Sequence, residues 1–134
     1  MSLAYLIDTD CVIHHLKGIR SVTAHIAQIK SQGLALSIIS YAELWEGAYF
    51  SREPSASHAK LDEFLSGVAL LGVDEEIARQ FGLLRGTLRK SGRIIGDFDL
   101  LIAATALRHG LILLSNNRKH FENVPGLRIE SAET

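Results

Sequence analysis

Acidic residues stand at the ends of apolar runs. Asp8 and Asp10 follow directly on Leu3 to Ile7, and Glu43 follows closely on Leu34 to Ile39. Asp97 and Asp99 open an almost wholly apolar stretch from Leu100 to Leu107. Ser115, Asn116 and Asn117 come after a further run, Leu111 to Leu114. Carboxylates gathered from separate segments repel one another, and a divalent cation removes that cost. Mg²⁺ and Mn²⁺ take oxygen ligands and keep several waters. A site of this kind hydrolyses phosphodiesters by activating water and neutralising charge on the phosphate.

Each acid also has a local structural reading. Asp8 can cap a helix starting near Thr9, although Thr9 or Asp10 serves equally well. Asp8 differs in belonging to the apolar run itself. Ser40-Tyr41-Ala42-Glu43 has the capping-box pattern, with Ser40 at the N-cap and Glu43 in support. Asp97 is a candidate N-cap, and Asp99 falls in the first turn of a helix that should be buried. A carboxylate opening a buried helix needs a partner or a metal. Ser115 to Asn117 read locally as a turn. The histidines His14, His15, His25, His58, His109 and His120 form no paired ligand spacing and read as surface or boundary residues. No nucleophile elbow, Walker loop or dinucleotide fingerprint is present.

The elements that must position these residues follow from hydrophobic period. Leu3 to Ile7, Leu34 to Ile39, Val68 to Val73 and Leu111 to Leu114 are strand-sized and apolar on both faces, with a weaker fifth candidate at Leu127 to Ile129. That pattern predicts a parallel sheet covered on both sides. Between the strands, Val22, Ile26 and Ile29 follow helical spacing, as do Leu61, Phe64, Leu65 and Val68. Ile77, Phe81, Leu84 and Leu88 make the clearest stripe, with Asp74 as its N-cap. Gly33, Gly92 and Gly110 stand where helices should stop, and Pro54 and Pro125 are placed in loops. Strands alternating with helices imply an α/β layered fold, whose sites form at the carboxyl ends of strands. That is where the acids lie.

Bulk properties narrow the classes. The chain has 134 residues, a domain's worth, of which 47% are hydrophobic and 22% charged, which excludes a disordered chain. No apolar run approaches the roughly 18 residues that cross a bilayer. The N-terminus lacks the basic and apolar regions of an export signal, so a cytoplasmic protein is expected. The single cysteine, Cys11, excludes an internal disulfide and a Cys-based zinc site. The net charge of −1 argues against nucleic-acid binding by bulk charge. RNA or DNA would be held by local basic patches or through a metal.

With these residues in place, the chain resembles the PIN-domain ribonucleases, and among them the toxin component of VapBC-type toxin–antitoxin pairs. The resemblance spans nearly the whole length and rests on motifs in order. Leu6-Ile7-Asp8-Thr9-Asp10 resembles the opening strand with its first acid. Ser40 to Gly47, reading Ser-Tyr-Ala-Glu-Leu-Trp-Glu-Gly, resembles the Glu-bearing helix. Asp97 to Ala104 resembles the buried helix with the third acid, and Leu113 to Phe121 the fourth strand and its turn.

The resemblance implies a single PIN domain over residues 1–134, with a three-layer α/β/α fold around a central, mostly parallel sheet of four to five strands. It implies a Mg²⁺-dependent endoribonuclease, with Mn²⁺ able to substitute. Asp8, Glu43 and Asp99 are the implied metal-site acids, and Asp97, which matches a position often acidic, is implied as a fourth catalytic acid. Asp10, Ser115 and Asn117 are implied as supporting residues. Many members carry Asp at the position of Asn117 and Thr at that of Ser115. An amide brings a dipole but no charge, which weakens a second metal position. A homodimer and a cognate VapB-type antitoxin are the implied protein partners.

From Arg79 to Arg93 there are five basic residues and no acid. Arg85 and Arg89 share a helical face and are candidates for holding RNA phosphates, with Arg118 and Lys119 as a second pair. The alternative for the arginines is a solvated helix face. Two other functions compete. One is a non-catalytic PIN module that binds nucleic acid or protein. The other is a haloacid-dehalogenase-like phosphatase, whose DxDxV signature fits Asp8-Thr9-Asp10-Cys11-Val12 with Asp8 as nucleophile. That second reading leaves Glu43 unexplained.

Overall fold

The computed structural model describes residues 2–132. Strand β1 (Tyr5–Ile7) leads into helices α1 (Thr9–Leu16) and α2 (Arg20–Ile29), and a 3₁₀ turn at Lys30–Gln32 returns the chain to β2 (Leu34–Ser37). Helices α3 (Ile38–Tyr49) and α4 (Pro54–Leu65) precede β3 (Ala69–Leu71). Then come α5 (Glu75–Lys90), α6 (Asp97–His109), β4 (Ile112–Leu114), the short α7 (Arg118–Phe121) and β5 (Ile129–Glu130). The five strands pair in the order β3-β2-β1-β4-β5, every neighbouring pair parallel. This is the α/β architecture expected from the alternating periods.

The strands alternate their side chains between two cores. Leu6, Ala35 and Leu113 face a core built with Ile77, Leu84 and Leu88 of α5 and Leu100 and Ile102 of α6. Tyr5, Ile7, Leu36 and Leu114 face the other, built with Val12, Val22, Ile26, Leu44 and Leu61 of α1 to α4. The sheet is thus the middle of three layers, and its inner strands β1 and β2 are buried along their whole length. Fully burying one such side chain stabilises the fold by roughly 1.5–3 kcal/mol.

Gly33 makes the turn into β2. Its φ of 99° is open to glycine, and a Cβ there would lie 2.5 Å from the Ser2 carbonyl oxygen. The two-residue β5 is fastened at Glu130. That carboxylate accepts from the Tyr5 hydroxyl at 3.2 Å and lies 2.6 Å from His25 Nε2.

The structure corrects several local expectations. The run Leu34 to Ile39 is a strand only to Ser37. Ser37 Oγ accepts from the Ile39 N–H at 3.1 Å, so Ser37 is the N-cap and the helix starts at Ile38. Ser40 is therefore a buried helical residue and not a cap. Pro54 is not in a loop but is the first residue of α4, where its missing N–H costs nothing. Asp97 is likewise inside α6, whose N-cap is Gly96. The fifth strand lies at Ile129–Glu130, shifted toward the C-terminus from Leu127 to Ile129. Asp74 caps α5 as expected, accepting from the Ile77 N–H at 2.9 Å.

Among the described residues no helix is long and apolar enough to cross a membrane.

Candidate active site

Sheet order reverses direction between β1 and β4, because β2 and β3 extend from one side of β1 and β4 and β5 from the other. At such a switch point a crevice opens beyond the carboxyl ends of the strands. Asp8 is the first residue after β1 and Ser115 the first after β4. Both are buried, and Ser115 Oγ donates to Asp8 Oδ2 at 2.8 Å. The Asp8 N–H donates to the Leu114 carbonyl at 2.9 Å, which extends the ladder to the acid itself. Asp8 stands at the N-cap position of α1 but makes no side-chain cap bond. Asp8 lines the crevice.

Burial pushes the Asp8 carboxyl up to about 6. The Ser115 hydrogen bond opposes that rise, and the charges of Asp10 and Asp99 add to it. Glu43 projects from the second turn of α3 into the same space. Its carboxyl is also raised, first by burial and then by Asp99, Asp10 and Glu46, against a lowering hydrogen bond from Thr9. Thr9 Oγ1 lies 2.8 Å from both Glu43 Oε1 and Ser40 Oγ. Its single hydrogen serves the carboxylate, which can only accept.

The cleft has a volume of about 500 Å³. Its walls carry the carboxylates of Asp8, Asp10, Glu43, Glu46 and Asp99 and, among the described residues, no lysine or arginine. His120 touches the site from α7, with Nε2 lying 2.7 Å from Asp99 Oδ2.

The other sequence candidates are placed differently. Asp97 turns away from the cleft. Its Oδ1 pairs with Arg85 Nε at 2.9 Å, and both line a smaller pocket with Arg89 and Arg93. Asn117 meets the site through its backbone N–H, which donates to Ser115 Oγ at 3.0 Å. Asn116 Oδ1 accepts from the Ala132 N–H at 2.7 Å, so this side chain ties down the segment after β5. Arg118 donates to the Ile129 carbonyl at 2.9 Å and braces β5. Lys119 is exposed on α7.

Sequence reasoning did not assign Thr9, Ser40, Glu46 or His120 to the site. Glu46 has a readable signal: it lies one turn from Glu43 on α3. His120 has none, since α6 and α7 meet only through tertiary packing.

Among the described residues no three Asp, Glu, His or Cys side chains are gathered closely enough to form a ready metal cage. Mg²⁺ needs no such cage, because it binds through one or two carboxylates and retains waters. Hard carboxylate oxygens that raise one another's affinity for protons fit a hard cation, and they do not fit a soft one.

Comparisons with known proteins show the family. Residues 5–127 match the model of the PIN domain family. Ribonuclease VapC2 of Haemophilus influenzae is 37% identical over 131 residues, covering 96% of this chain and 98% of the relative. The tRNA(fMet)-specific endonuclease VapC of Shigella flexneri is 32% identical over 128 residues, covering 96% and 97%. Among solved structures, VapBC2 from Rickettsia felis bound to a promoter DNA fragment superposes with a TM-score of 0.90 at 30% identity, covering 96% of this chain and 98% of that one. The chain belongs to the PIN domain family, in the branch of the VapC ribonucleases.

Proposed function

We propose that this protein is an endoribonuclease that hydrolyses RNA phosphodiester bonds in the acidic cleft, as the toxin of a type II toxin–antitoxin pair. The observation that carries the reading is the convergence of Asp8, Glu43 and Asp99 on one crevice at the sheet's switch point. Its sequence relatives are named ribonucleases and its structural neighbours are VapBC complexes.

Asp8, Asp99 and Glu43 are the residues that would hold Mg²⁺ or Mn²⁺. When bound, such an ion supplies charge neutralisation at the phosphate and a more acidic attacking water. The chain's own residues prepare the ground. Ser115 fixes the rotamer of Asp8 and stabilises its charged form. Thr9 does the same for Glu43, and His120 Nε2 lies 2.7 Å from Asp99 Oδ2. Asp10 and Glu46 add to the negative field from the exposed rim. Arg85, Arg89 and Arg93 line a pocket with Asp97, two residues along the chain from Asp99, and would offer positive charge to an RNA strand leaving the acids.

The partners follow from the same reading: an RNA substrate, a VapB-type antitoxin and a second copy of the chain. Residues 1–134 act as one PIN domain, in the cytoplasm where its RNA is found. Ile94, Phe98 and Leu83 are exposed around α5 and the start of α6 and supply apolar surface for the second copy. Excess chelator should stop RNA cleavage by the purified protein, and added Mg²⁺ or Mn²⁺ should restore it. Full activity in chelator would remove the metal from the mechanism.

A further inference from the structure

We infer that Phe50 is a platform on which a base of the RNA strand stacks, and that Gly47 keeps open the notch in which that base lies beside Glu43. The inference rests on the reading that RNA is cut in this cleft. Glu43, Gly47 and Phe50 are four and three residues apart on α3 and its C-cap, so they share one helix face. All three line the cleft.

Phe50 is 87% exposed, and among the described residues its ring stacks on no other. Its neighbour Tyr49 differs. Tyr49 is committed to the protein, edge-on to His58 at 4.9 Å and tilted against Trp45 at 5.6 Å. A bare phenyl ring at the mouth of a polar cleft gains nothing from the fold.

Gly47 is equally unexplained by the fold. Its φ is not positive, and a Cβ added there meets nothing within 4 Å. Neither backbone conformation nor packing asks for glycine, and a helix-interior glycine is destabilising relative to alanine. What the missing side chain supplies is space, on the wall between Glu43 and Phe50.

The charge of the cleft gives that space its use. Five carboxylates line it and, among the described residues, no lysine or arginine does, so the protein's own side chains offer an RNA phosphate no attraction there and leave that to the bound cation. Stacking requires no charge, and every base offers a π face. One stacked base fixes the position of the adjacent phosphate over the acids, while the arginines around Asp97 hold phosphates further along.

The test is steady-state cleavage of a fluorescent single-stranded RNA of mixed sequence by the full-length protein in Mg²⁺. Phe50→Ala should raise KM between about fivefold and a hundredfold, with the effect falling on KM and not on kcat. Phe50→Trp should restore the parent's KM, and Phe50→Leu should not. Gly47→Ala should raise KM while raising the melting temperature, opposite effects that a structural role does not produce. An unchanged KM for Phe50→Ala overturns the inference, as does full rescue by leucine. A Phe50→Ala loss that tracks dissociation of the protein in light scattering also overturns it, because Phe50 is then a contact between protein chains. Parent activity that survives Asp8→Asn strikes at the cleft as the cutting site, and the platform falls with it.

Discussion

Ser115 and Asp8 lie at the carboxyl ends of adjacent parallel strands, and the Ser115 hydroxyl donates to the Asp8 carboxylate at 2.8 Å. The bond favours the ionised acid against the burial that opposes it. Ser115→Ala removes the donor and leaves the burial in place. The Asp8 carboxyl should then rise beyond its present value of about 6. The acidic limb of the pH–activity profile should move to higher pH, and activity at neutral pH should fall by about twofold to tenfold. A pH profile of the variant superposing on the parent's would show that Asp8 does not depend on Ser115.

The same acid sets a pH dependence of stability. In the unfolded chain an aspartate titrates near about 3.9, and in the fold Asp8 is pushed up to about 6. The folded state therefore binds this proton more tightly. Its contribution to stability is full below about pH 4 and is lost as pH rises toward 6. Asp8→Asn removes the loss. In chelator at pH 7 the variant should be more stable than the parent by up to about 3 kcal/mol, and near pH 4 the two should converge. Thermal melts across that range check it. Divalent metal should stabilise the parent at pH 7 more than at pH 5, because proton and cation compete for the same oxygens.

The route from sequence to site explains which residues were readable. Strand ends are punctuated by polar residues after apolar runs, so Asp8 and Ser115 were visible as the exits of β1 and β4. The heptad-like stripe of α5 and its Asp74 cap were visible for the same local reason. The start of α3 was not. Ser40 carries the capping-box spacing, but β2 pairs as far as Ser37, and it is Ser37 that caps α3. Arg85 on α5 and Asp97 on α6 meet through the packing of two helices, so Asp97 and Asp99 look alike in sequence yet point into different pockets. His120 and Thr9 join the site by tertiary contacts that no spacing announces.

That divergence gives a paired expectation. Asp97 is engaged by Arg85 at the surface, where an exposed pair contributes at most about 1 kcal/mol. Asp97→Asn should leave folding intact and lower cleavage only a few-fold. Asp99→Asn should lower it by at least a hundredfold. Equal losses in the two single-turnover rates would place both acids in the cutting site.

Thr9 supplies the only hydroxyl seen donating to Glu43 among the described residues. Thr9→Val keeps the shape and deletes the donor. The Glu43 carboxyl, already raised by burial, should rise further, and kcat should drop by about tenfold or more. Thr9→Ser should keep most of the activity. A valine variant as active as the parent would mean that Glu43 needs no support from α1.

The acids of the cleft are the centre of the account, and one assay addresses them directly. Parent, Asp8→Asn, Glu43→Gln, Asp99→Asn and Asp97→Asn are compared for cleavage of one RNA in Mg²⁺, with a melt of each to confirm folding. Loss of cleavage at Asp8, Glu43 and Asp99, with Asp97→Asn retaining most of it, is the expected result. Cleavage that persists in the folded Asp8→Asn and Asp99→Asn proteins would contradict the assignment of the reaction to this cleft.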